Sequence, residues 1–319
     1  MRHRLAAIAG AAALVVLGSA AVMGQAASGG PATPARTAWG HPDLQGVWNF
    51  ATITPLERPA EVGERDVFTA QEARARDEDA ETRNDSAPAE GSPGTYNSFW
   101  WDRGSILPDR RTSLIVDPPS GRIPPLTAEG QRRADTRAAE RERPAFGPED
   151  RSVGERCILG FNSGPPMVPG GYNQHVQIFQ TPEFVVLLNE MVHSARIIPL
   201  DGRPHGPIRQ WTGDSRGRWE GDTLVVETIN FYQETSFRGS SPSLRLVERF
   251  TRLDNNTLNY EFTATDPTTW TSPWTVALPM ARTDDRIYEY ACHEGNYGMT
   301  NLLAGARVVD AKAAKGGTK

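Results

Sequence analysis

From residue 176 onward the chain alternates apolar and polar residues in short segments, each closed by a tight turn. Residues 176–180, 184–190, 195–200, 208–212, 223–231, 244–253, 257–266, 275–281 and 287–292 all carry this pattern. Alternation puts successive side chains on opposite faces of a strand. Leu258, Tyr260, Phe262 and Ala264 thus share one face, and Asn259, Glu261 and Thr263 the other. Asp201-Gly202, Gly213-Asp214-Ser215, Glu220-Gly221-Asp222, Asp254-Asn255-Asn256 and Asp284-Asp285 supply residues suited to turns. Strands joined by tight turns pair antiparallel. The series predicts a mainly β fold, a meander closed into a barrel, with a β-sandwich as the alternative.

The first half is different in texture. Seventeen of the 25 prolines fall between Pro31 and Pro169, which predicts a loop-dominated extension with short elements. Thr69-Ala70-Gln71-Glu72 is a capping box opening a polar helix of about a dozen residues. Residues 77–93 turn acidic and read as an exposed loop. Residues 113–117 and 122–126 read as a short hairpin around Pro118-Pro119-Ser120-Gly121. Thr127 caps a second, charged helix that stops at Arg143, before Pro144. The expected organisation is a signal peptide over 1–26, the proline-rich extension over 27–170, the β-barrel domain over 171–300 and a tail over 301–319.

The signal peptide follows from the first 26 residues. Arg2 and Arg4 precede an uncharged run, and Gly24-Gln25-Ala26 offers small residues at a cleavage site. Cleavage takes the net charge from −5 to −7, an acidic balance that argues against a nucleic-acid partner. No later stretch is apolar enough to insert in a membrane, so the expected location is periplasmic or secreted. An exported chain meets an oxidising compartment. Its only two cysteines, Cys157 and Cys292, are therefore expected to form a disulfide.

Elimination narrows the chemistry. All three lysines (Lys312, Lys315 and Lys319) lie in the last eight residues, which removes a lysine nucleophile or base from the body of the chain. No nucleotide loop, serine elbow or short metal-ligand spacing is present, so no metal site and no cofactor are expected. Histidines and carboxylates remain as acid–base groups. Glu190 and His193 sit where one strand turns into the next, and His293 and Glu294 follow the polar segment Tyr288–Cys292. The expected catalytic set is His193, His293, Glu190, Glu248 and Glu294, opening toward one cavity at an end of the barrel. Arg196, Tyr290 and Trp270 are expected to bind the substrate. Glu227 and Glu248 each share a face with apolar residues, so each needs a task or an arginine partner from Arg196, Arg209, Arg245, Arg249 and Arg252. A structural ion pair is the commoner outcome. Trp100 and Trp101 read as a plug between the extension and the barrel, or as stacking groups for a ligand ring.

The segments NEMVHSARIIPLDGRPH (189–205), GDSRGRWEGDTLVVETINF (213–231), DPTTWTSPW (266–274) and YEYACHEGNYG (288–298) resemble a large family of exported bacterial proteins without an established activity. The resemblance implies export and a shared fold and supplies no catalytic residues. Gly46-Val47-Trp48 resembles the G-x-W that opens lipocalin-like barrels, although it stands far ahead of the main strand run. The expected function is an exported enzyme using His/Glu acid–base chemistry on a small molecule, of hydrolase, lyase or isomerase type. The alternative is a lipocalin-like barrel that binds and carries a small ligand unchanged. Converging charged groups inside the barrel favour the first, and a smooth apolar cavity the second.

Overall fold

A computed structural model describes residues 35–84, 100–143 and 145–316. The leader (1–26), Ser98, Phe99 and the stretch 85–93 of the expected acidic loop lie outside the described residues. Ten strands form one antiparallel sheet: β1 (Gly46–Asn49), β2 (Ile115–Asp117), β3 (His175–Gln180), β4 (Phe184–Asn189), β5 (Ala195–Pro199), β6 (Asp214–Glu220), β7 (Thr223–Ile229), β8 (Arg245–Arg252), β9 (Thr257–Thr265) and β10 (Trp274–Thr283). Three helices accompany it: α1 (Ala70–Asn84), α2 (Ala128–Glu142) and α3 (Gly298–Gly316).

The order across the sheet is β5-β4-β3-β1-β10-β9-β8-β7-β6, with β2 also on β10. Two meanders, β3 to β5 and β6 to β10, are each built from hairpins. Backbone pairing joins them only through β1, whose Val47 pairs with Gln177 on one side and Thr283 on the other. The outermost strands β5 and β6 share no ladder, so hydrogen bonds do not close the sheet into a barrel. They approach through side chains instead. A Cβ on Gly217 of β6 would stand 2.7 Å from Leu200 Cδ2 and 2.8 Å from Ile198 Cγ2, so the glycine makes room for the opposite edge.

Alternation places the core as expected. Leu258, Tyr260, Phe262 and Ala264 are fully buried, and Asn259, Glu261 and Thr263 are not. Trp48, Phe250 and Trp274 fill the same interior at 0% exposure, as do Val185, Leu187, Leu224 and Leu246. Surfaces with no exposure leave no room for even one water beside them. The side chains of these residues therefore occupy the space a ligand would need.

The helix starts follow their sequence signals. Glu72 N–H donates to Thr69 Oγ1 at 3.2 Å, and Thr69 N–H donates back to Glu72 Oε2 at 2.8 Å. Arg65, together with these Thr69 contacts, pushes the Glu72 carboxyl down to about 2. Thr127 Oγ1 accepts from Gly130 N–H at 3.0 Å to open α2.

Several expectations are corrected. β1 and β2 come from the proline-rich stretch, so the sheet draws strands from both sides of residue 170. Residues 77–84 continue α1: Glu78, Ala80, Glu81 and Arg83 favour helix, and Ala80, one heptad after Ala73, is buried on the same face. No 113–117/122–126 hairpin forms; β2 pairs with β10, and Leu126 forms a bridge with Trp270. Residues 208–212 are not a strand; Gln210 makes an isolated bridge with Phe231 just past β7, and Arg209 Nη1 donates to Phe231 O at 2.9 Å. The stretch after Gly213 is a full strand, β6, and 287–292 is irregular. The expected tail contains α3, rich in alanine and leucine and free of proline.

Trp48 concentrates the dependence on β1. It is fully buried, its Nε1 donates to Leu44 O at 2.9 Å, and the Arg252 guanidinium lies 5.8 Å from its ring centre. Trp48→Ala is expected to cost about 3–5 kcal/mol in chemical denaturation, the usual price of emptying a buried aromatic site.

Candidate active site

The β3–β4 hairpin turns at residues 181–183, where Thr181 Oγ1 accepts from Phe184 N–H at 3.0 Å. Its register pairs Gln180 with Val185 and Val176 with Asn189. One step further, His175 stands opposite Glu190, whose N–H donates to His175 O at 3.0 Å. The side chains meet as well, with His175 Nδ1 2.9 Å from Glu190 Oε2. The other oxygen, Oε1, accepts from Tyr288 N–H at 3.4 Å. Glu190 is therefore held at both oxygens and fixes the imidazole ring.

His175 Nε2 is buried and makes no hydrogen bond. Asp285 Oδ2 lies 3.8 Å from it, and the Asp285 side chain is 70% exposed. The hydrogen bond to Glu190 raises the His175 pKa above its ordinary value. Burial opposes the rise, and the charges of Glu190, Asp102 and Asp285 add to it. The surroundings are thus acidic and suit a neutral or cationic partner. Trp101 and Phe161 pack edge-on against Tyr172, three residues before His175, and Arg103 stacks 4.0 Å over Trp101.

The corner is held in a strained form. Val192 and His193 have φ of 58° and 54°, and Cys157 and Asn173 also lie in the left-handed region. A β-branched residue there is uncommon, and such strain persists only where surrounding contacts impose it. Those contacts are present. Cys157 is bonded to Cys292, with Cα atoms 5.7 Å apart, as the two-cysteine count predicts. A Cβ on Gly160 would fall 2.0 Å from Met191 Cγ, so only glycine lets these two segments touch. The disulfide anchors the irregular stretch that carries Asp285 and Tyr288 over Glu190.

The expected catalytic set is not assembled around one cavity. Glu190 takes His175 as its partner in place of His193. The side chains of His193 and His293 are exposed and, among the described residues, touch no carboxylate; Glu294 is exposed too. Tyr290 is half-buried, and Trp270 is a core residue at 2% exposure, edge-on to Trp274. Glu248 and Arg196 form a buried pair, Nη2 to Oε1 at 2.9 Å with a second contact through Nη1. Tyr260 donates to Glu248 at 2.8 Å and accepts from Met167 N–H at 3.1 Å. Burial pushes the Tyr260 phenol well above its ordinary value, so it stays a donor. Glu227 likewise pairs with Arg245. Both face-sharing carboxylates thus found arginines, and Arg196 has no fork left for a substrate.

His175 is absent from the catalytic set that the sequence suggests, because His193 lies nearer to Glu190 along the chain. The signal was available in the hairpin, since a short loop fixes which residues stand opposite one another. Among the described residues no group of three His, Cys, Asp or Glu side chains is set to hold a metal ion.

Two outcomes follow from this geometry. Arg196→Met leaves Glu248 buried without its countercharge and is expected to cost about 3–5 kcal/mol, while Arg196→Met with Glu248→Leu regains most of that loss. By NMR titration, His175 is expected to release its proton above the ordinary 6.5, and Glu190→Gln to bring that midpoint down. The folded state holds this proton more tightly than the unfolded chain does. The stabilisation is therefore complete below about pH 6.5 and fades as pH rises through the folded-state value. No family model, curated protein or solved structure matches the chain.

Proposed function

We propose that this chain is an exported enzyme carrying out acid–base chemistry on a small molecule without a redox cofactor, of hydrolase, lyase or isomerase type. His175 moves the proton and Glu190 orients it. The observation that carries this reading is the 2.9 Å contact of His175 Nδ1 with Glu190, which leaves Nε2 buried and unbonded. A carboxylate on one ring nitrogen fixes the tautomer and frees the other nitrogen to give or take a proton. The raised His175 pKa keeps more of the imidazole charged near neutrality and favours the acid role. Asp102 and Asp285 bias the site toward neutral or cationic substrates.

The leader and the Cys157–Cys292 bridge support export to the periplasm or the medium. Among the described residues no helix is long and apolar enough to cross a membrane. The approach of β5 to β6 across Gly217 supports reading the sheet as an incompletely closed barrel of lipocalin-like type. The carrier reading is weaker, because the inner face carries no ligand-sized space beside Trp48, Phe250, Tyr260 or Phe262.

A thermal-shift screen of small polar molecules on the mature protein finds ligands through the stability they add. With a turned-over ligand in hand, His175→Gln is expected to cut turnover by about a hundredfold while the protein still folds cooperatively, with His193→Ala and His293→Ala staying within about threefold of the parent. Full turnover in His175→Gln would overturn the assignment.

A further inference from the structure

Away from His175, a depression of about 590 Å³ lies among Arg58, Gly63, Glu64, Pro119, Ser120 and Arg122. Its floor is unusual in charge. Arg58 is 8% exposed, yet no carboxylate among the described residues pairs with it. Its Nε donates to Thr112 Oγ1 at 3.1 Å, Nη1 to Glu64 O at 2.9 Å and Nη2 to Pro119 O at 3.2 Å. All three acceptors are uncharged. A guanidinium has five N–H groups, so one on each terminal nitrogen remains unassigned. Buried charges are normally paired, because removing them from water is costly. Among the described residues no countercharge stands against Arg58, and a cavity adjoins. Arg122 stands exposed at the same depression and is likewise without a carboxylate partner. The one acidic group there, Glu64, is exposed, so the lining carries a net positive charge.

We propose that this depression is a binding site for an oxyanion, the carboxylate, sulfate or phosphate group of a small molecule. Arg58 makes a two-point contact from the floor, and Arg122 and Ser120 close on the anion from the rim. Guanidinium forks match planar and tetrahedral oxyanions in this way. The volume falls within the range of roughly 300–1,000 Å³ usual for small-molecule sites, so the anionic group can carry a larger body. The site is independent of the His175 reading and stands or falls separately.

Isothermal titration of the mature protein with sodium sulfate, sodium phosphate and sodium acetate, against sodium chloride at matched ionic strength, tests it. At least one oxyanion is expected to bind with Kd near about 1 mM, and the arm that binds identifies the group. Heat is the better readout than Tm, since sulfate stabilises proteins generally by exclusion from their surface. Arg122→Ala, at an exposed position, is expected to weaken binding about fivefold, and Glu64→Gln to tighten it about threefold by removing a like charge. Arg58→Gln, if it folds, abolishes binding. The proposal is overturned if no oxyanion binds up to about 20 mM, or if Arg122→Ala and Glu64→Gln bind like the parent.

Discussion

Everything in this sheet depends on the ladder that β1 makes with β3 and β10. Each meander can form from its own hairpins, but β3 and β10 would then both be edges with unpaired backbone groups. Four residues, Gly46–Asn49, satisfy both edges at once. Their partners lie about 130 to 235 positions along the chain, so loop-closure entropy opposes the contact until both meanders exist. Burial of Trp48 offsets that cost, and its contact with Arg252 ties the strand to the second meander as well. The same ladder sets Asn49 opposite His175, so the strand that joins the halves also steadies the start of β3.

The inner face of the sheet is mostly apolar, and its one buried ion pair that links two strands joins the two meanders. Arg196 on β5 and Glu248 on β8 belong to different meanders, and Tyr260 joins them to the backbone of Met167. A buried pair of this kind contributes little net stability, because desolvation consumes most of the attraction. Its effect is on register. A one-residue slip of β5 would turn Arg196 and Ile198 outward together and leave Glu248 buried without its partner. The pair thus fixes the lateral placement of an edge strand that has no ladder on its outer side.

His175 shows a different use of charge. It lies at a strand end where Glu190, Asp102 and Asp285 surround one imidazole. The stretch carrying Asp285 and Tyr288 has no regular structure, and backbone hydrogen bonding alone would not hold it. The disulfide anchors it at residue 292, and Glu190 accepts the Tyr288 N–H. The left-handed residues Val192 and His193 end the hairpin sharply beyond Glu190, which keeps that carboxylate at the corner.

The amino-acid order alone determined the parts whose causes are local. The strands of both meanders except β6, the Thr69 and Thr127 caps and the single possible disulfide all follow from alternation, turn residues, side-chain capping and a count of two cysteines. Tertiary structure decided the rest. β1 has only four residues and no neighbour in sequence to pair with, so its central place depends on strands far along the chain. β6 reads as a turn at Asp214-Ser215 because an edge strand with a wet face needs few apolar residues. The fate of Glu248 was open between a task and an ion pair, and the approach of β5 to the interior of the other meander settled it. His175 and Glu190 lie between these cases. Each is an ordinary polar residue in the sequence, and hairpin register, a local property, already sets them opposite. The unbonded Nε2 and the acidic surroundings come from segments 102 and 285, which only the folded chain brings to the same corner.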